Sequence, residues 1–228
     1  MNRRGAPRAL HAGLAAALFL TSPLASAGCD HPYFPLAPGK TFVYEKSGFQ
    51  TTQVVTKLVG NTFTFESKSG PKGAEMSVTT TGECSADGIT LNMGADTPSK
   101  GTQQIRTLKH SGSDVGPPGQ MKVGGAWTSA LTREMTAGTV KVLISTKSTY
   151  KVVAAEKVKV PAGEYDALKI ETETATTTKK AGSPRSEVTR SKTTTWLVKG
   201  VGLVKSQSAA TEPGEPPLPA MELVSISN

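Results

Sequence analysis

Two cysteines, three histidines and a thin scatter of carboxylates are the residues of this 228-residue chain that could carry chemistry. His11 falls in an apolar N-terminal segment. His31 and His110 are far apart, and no HxH, HExxH or CxxC spacing occurs, so neither a metal centre nor a His-centred catalytic network is expected. There is no Gly-x-Ser-x-Gly elbow and no P-loop, and Gly200 and Gly202 lack the third glycine and following helix of a dinucleotide site. Glu171 and Glu173 share one face of a strand, but the Thr and Lys around them read as a solvated face rather than a carboxylate pair. No catalytic residue, metal ligand or cofactor is assigned, and the chain reads as non-enzymatic.

The cysteines admit two exclusive readings. Cys29 and Cys84 can form a disulfide in an oxidising compartment. Alternatively, Cys29 is the acylated first residue of a lipoprotein, because small residues precede it in Leu24-Ala25-Ser26-Ala27-Gly28. Against this second reading, Ser26 stands where an aliphatic residue is usual, and Cys84 would be left unpaired.

Both readings follow from the segment before them. Arg3, Arg4 and Arg8 precede an apolar run from Leu10 to Leu20, and Ala25-Ser26-Ala27 supplies a small-x-small cleavage pattern. The run is too short for the roughly 20 residues a membrane span needs. Residues 1–27 are therefore expected to be a signal peptide. The mature chain, 28–228, is expected to be exported to the periplasm or beyond, or anchored as a lipoprotein. Losing three arginines takes the formal charge from +8 to +5. The remaining lysines are single and alternate with Val, Thr or Glu, without basic runs or interleaved aromatics, so nucleic acid is not an expected partner.

The elements that must position these residues are strands. Thr occurs 30 times, and this β-branched residue disfavours a helical bundle. Apolar alternation marks strands at 41–45, 52–58, 62–66, 76–81, 89–93 and 103–108. It continues at 140–145, 150–152, 158–160, 168–174, 194–198 and 221–227. Val160-Pro161-Ala162-Gly163 reads as a tight turn, and Gly200-Val201-Gly202 as a bend or bulge. Ser111 to Gly119 reads as a loop crossing between the two halves of the fold. The threonines are read as the solvent face of the strands. The expectation is all-β: a single antiparallel domain whose about ten to eleven strands form a strongly curved sheet or open barrel, since a flat sheet of that size is disfavoured. A two-sheet sandwich is the alternative.

Three pieces carry a family resemblance. They are Cys29-Asp30-His31-Pro32-Tyr33-Phe34-Pro35-Leu36 with Gly39 and Tyr44; Val158 through Ile170; and Thr195-Trp196 followed by Gly200-Val201-Gly202-Leu203-Val204-Lys205. Val123-Gly124-Gly125-Ala126-Trp127 fits the group's usual strand start, while Phe42 stands where an indole is often found. Together they resemble a group of uncharacterised, exported, β-rich bacterial proteins of the domain-of-unknown-function kind, distantly similar to lipoprotein-localisation-factor (LolA/LolB-like) open barrels. The resemblance implies a fold and carries over no catalytic residue. Trp127 and Trp196 are expected to pack as anchors on facing strands. In the functional alternative Trp127, Trp196, Tyr44, Phe63 and Phe65 line an apolar cavity that takes a lipid-like molecule. A packed interaction module that meets an envelope protein is the competing function.

Overall fold

The computed structural model describes residues 29–71, 75–93, 103–210 and 216–227; the expected signal peptide lies outside them. The chain starts with a small hairpin, β1 (Asp30–His31) and β2 (Phe34–Pro35). The strands β3 (Thr41–Lys46), β4 (Phe49–Val59), β5 (Thr62–Ser69), β6 (Met76–Ser85) and β7 (Gly88–Met93) form a meander. A second run comprises β8 (Gln103–Gly112), β9 (Ala126–Ala137), β10 (Val140–Val160), β11 (Gly163–Lys180), β12 (Ser186–Val198), β13 (Gly202–Ser208) and β14 (Met221–Ser227).

All pairings are antiparallel, and twelve strands make one sheet in the order β7-β6-β5-β4-β3-β14-β13-β12-β11-β10-β9-β8. The sheet curls into a nearly closed barrel, one or two strands larger than the sequence implies. Its two ends, β7 and β8, meet at a seam. There the Ile89–Val115 bridge closes the wall through Ile89 N–H to Val115 O (2.9 Å) and Val115 N–H to Ile89 O (3.1 Å). Closure leaves few free strand edges. Pro161 and Ala162 form the expected turn between β10 and β11. At Gly200 and Gly202 the backbone has positive φ (77° and 100°), and the β12–β13 register shifts beside Trp196, which makes the expected bend.

One difference concerns the second half. The three short strands read between Val140 and Val160 are a single strand of 21 residues, uninterrupted by Gly or Pro. The apolar alternation lapses there because the inward positions are hydroxyls. Thr146 and Ser148 face Thr176 and Thr174 of β11, and share the face of the fully buried Val152. β12 likewise starts at Ser186, well before its apolar end. Many threonines therefore occupy the concave wall, not the solvent face: Thr172, Thr174 and Thr176 follow Ile170, only 1 % exposed, on one side of β11.

The apolar core fills the other end of the barrel. Val55, Ile89, Val152, Val204 and Leu223 have no exposed surface. The β1–β2 hairpin plugs this end. Phe34 packs on Phe63 and Phe65 with centroids 5.6 Å away in each case, and those two rings lie 5.3 Å apart. Each such contact adds about 0.5–1.5 kcal/mol beyond the area it buries. Gly82, directly across from Phe63, gives its ring room: a Cβ there would enter the ring. Gly200 N–H donates to Pro32 O (2.7 Å), which ties the hairpin to the β12–β13 turn. Cys29 and Cys84 form a disulfide (Cα–Cα 5.4 Å) that ties it to β6.

Candidate functional site

Aromatic residues at alternate positions of β3 and β5 face inward because each strand has one buried side. With the hairpin they line a half-open cavity of about 200 Å³, walled by Phe34, Leu36, Phe42, Tyr44, Phe65 and Leu91. Gln53, Ser67 and Thr80 contribute its few polar atoms, and Val201 to Leu203 close one side. The Tyr44 hydroxyl donates to Leu203 O (3.1 Å), and burial pushes this phenol well above its ordinary value. Its ring is thereby fixed as a wall.

Of the five aromatics expected to line a cavity, Tyr44 and Phe65 do so. Phe63 lies one layer deeper, against Phe34 and Gly82. Trp127 and Trp196 do not line this cavity; both are buried in the core, as expected of packing anchors, on strands that β10 and β11 separate. Trp196 pairs with Lys169 and Lys205, whose ammonium groups lie 5.7 and 5.6 Å from its ring, and its indole N–H donates to Glu156 Oε1 (2.7 Å). Strand alternation sets it on the face opposite Leu197, so it cannot reach the cavity. Trp127 stacks on Tyr150 at 5.2 Å and 7°, over Gly116, where a Cβ would strike the indole. The carboxylates of Glu171 and Glu173 are exposed, and Glu173 pairs with Lys192 (2.6 Å).

His110 is far from His31 in sequence but not alone, because β8 pairs with β9 and β9 with β10. His110 Nε2 lies 3.4 Å from Asp114 Oδ2, which also accepts the Leu91 N–H at 2.7 Å across the seam. Arg133 and Tyr150 come within electrostatic reach of the same carboxylate. Burial lowers the Arg133 guanidinium from its ordinary value, an effect that Asp114 opposes. Burial raises the Tyr150 phenol, with the Ser129 and Ser148 hydroxyls pulling the other way. The only sequence sign of this cluster is the His110-x-x-x-Asp114 spacing. Arg133 and Tyr150 join it through strand register, which local spacing does not show. Among the described residues no group of three or more His, Cys, Asp or Glu could hold a metal ion.

Residues 41–210, spanning β3 through β13, match the DUF3108-like family. The chain belongs to that family. The DUF3108-like chain is also similar in fold to two solved structures. One, from Bacteroides fragilis NCTC 9343, is described as an exported protein with a YmcC-like fold (TM-score 0.57, 15 % identity, 87 % of this chain and 100 % of that one). The other, from Parabacteroides distasonis ATCC 8503, is described as a lipoprotein (TM-score 0.56, 14 % identity, 87 % and 100 %). At these identities the likeness speaks for fold alone. No curated protein matches the DUF3108-like chain. No helix among the described residues is long and apolar enough to cross a membrane.

Proposed function

We propose that this DUF3108-like protein is an exported, non-catalytic envelope protein that holds an apolar or amphiphilic ligand in its β cavity. The observation that carries the reading is the aromatic-walled cavity between β3, β5 and the hairpin, whose one wall hydroxyl on an aromatic ring, that of Tyr44, is already given to Leu203. An apolar cavity of about 150 Å³ is enough to take up benzene, so about 200 Å³ suits a short or single alkyl segment rather than a diacyl lipid.

Export rests on the leader-like residues 1–27 and agrees with the descriptions of the two structural neighbours. The disulfide favours cleavage after Ala27 over acylation, because it uses the Cys29 sulfur that a lipid would need. Residues 28–228 then act as one β domain, a reading supported by the continuous twelve-stranded sheet. A packed interaction module is the second reading. It draws support from Phe49 (55 % exposed) and Met76 (73 %), apolar side chains at one end of β4 and β6.

Titration calorimetry with 1-octanol tests the cavity. Ser67, a small wall residue of β5, would be changed to Phe to occupy the space. Ser67→Phe is expected to weaken 1-octanol binding at least tenfold while leaving the melting temperature undiminished. Equal affinity in the two proteins would place the ligand elsewhere and favour the packed module.

A further inference from the structure

We infer that the His110–Asp114–Arg133 wall at the barrel seam seats the oxyanionic headgroup of a single-chain amphiphile whose alkyl part lies in the aromatic cavity. This rests on the cavity reading above and specifies the ligand's class.

Buried polar atoms in native proteins almost always have partners, and an exception calls for a ligand, an ion or water. Among the described residues, both ring nitrogens of His110, Nε of Arg133 and Nε1 of Trp127 are buried without a hydrogen-bond partner, as is one acceptor, Oδ1 of Asn92 on β7. The His110 side chain is 10 % exposed, and its contact with Asp114 at 3.4 Å lacks hydrogen-bond geometry. These are mostly donors: the indole and guanidinium nitrogens can only donate, and an imidazole always carries at least one N–H. The carboxylate among them, Asp114, is already engaged by the Leu91 N–H. Of the unpartnered buried atoms here, the donors outnumber the acceptors. A carboxylate or phosphate supplies several acceptor oxygens at once, and a guanidinium is the side chain best shaped to meet them.

Register places these groups on the barrel's inner side. His110 pairs with Leu131 and through it with Thr146, on the same face as the fully buried Val152. Trp127 pairs with Tyr150 on that face too. The link to the cavity is Leu91, whose side chain walls it and whose N–H holds Asp114. Leu91 thus stands between the cavity and the donors, and an alkyl chain in the cavity has to pass it for its head to reach them. The small cavity volume limits the ligand to one chain.

Calorimetry on the disulfide-bonded exported protein, with octanoate, octyl phosphate, 1-octanol and inorganic phosphate as probes, tests this. At least one oxyanionic octyl probe is expected to bind at least tenfold more tightly than 1-octanol. A stronger response to octyl phosphate identifies a phosphoester head, and a stronger response to octanoate a carboxylate. Arg133→Gln should bring the preferred probe down to the level of 1-octanol, and Arg133→Lys should restore part of the difference. If Arg133→Gln does not fold, the wild-type ranking and His110→Gln decide. Binding of 1-octanol as tight as that of both oxyanionic probes would overturn the inference while leaving the cavity reading intact. Inorganic phosphate binding as tightly as octyl phosphate would also overturn it, as a free-anion site unconnected with the cavity. Failure of every octyl probe would overturn both.

Discussion

His31 shows how a single side chain can hold the hairpin in place. It is 5 % exposed, its Nε2 lies 2.9 Å from Gly116 O, and its Nδ1 accepts the Tyr33 N–H at 3.2 Å. This pattern fixes the neutral tautomer, with the proton on Nε2. Burial lowers the ring's pKa from 6.5, although the Gly116 hydrogen bond and Asp30 oppose the shift. Because the folded value is depressed, the unfolded chain takes up a proton first as pH falls. The stabilisation from this ring is therefore complete above about pH 6.5 and declines as pH drops toward the folded value. Thermal melts between pH 7.5 and 5 should show a fall in melting temperature that His31→Gln, which keeps a donor and an acceptor, flattens. An identical slope in both proteins would remove His31 as the cause. The phenol of Tyr44 behaves in the mirror sense. Its folded pKa is raised, so its contribution is lost only in alkali, above about pH 10.

At the scale of elements, the β1–β2 hairpin depends on tethers rather than on its own length. Two strands of two residues each are not stable alone, and the hairpin is held by Phe34, by Pro32 O and by the disulfide to β6. The crosslink spans 55 residues, for which the chain-entropy estimate is about 4 kcal/mol. Cys84→Ser, followed by urea denaturation, should lose about that much stability and uncover the cavity wall formed by Phe34 and Leu36. A loss below about 1 kcal/mol would mean that the aromatic plug holds the hairpin without the bond. These elements also show what local sequence could reveal. The strands β3, β5 and β7 were legible because large apolar residues recur at every second position, Phe42 and Tyr44, Phe63 and Phe65, Ile89 and Leu91. The full lengths of β10 and β12 were not, because their inward residues are hydroxyls, and these pair across the strands. Ser148 Oγ lies 3.1 Å from Thr174 Oγ1, and Thr193 Oγ1 lies 3.3 Å from Ser208 Oγ.

On the scale of the whole molecule, closure of the sheet creates everything that can act as a site. Pairing β3 with β14 joins the two halves of the chain, so that the sheet ends at β7 and β8 and its inner face becomes enclosed. The curved all-β fold could be anticipated from strand number and from the family resemblance. The position of Trp196 could not, because a two-residue period gives alternation but does not say which face curls inward. Most of the seam cluster was hidden for a related reason: His110 and Asp114 are four residues apart, but only long-range register brings Arg133 and Tyr150 to them. Phe42, Tyr44, Phe65 and Leu91 line the cavity proposed to receive an alkyl chain. A crystal structure of the protein soaked in 1-octanol tests it most directly. Continuous density for an alkyl chain against these four side chains is the predicted result. A cavity closed by side-chain rearrangement, or holding only hydrogen-bonded water, would contradict it.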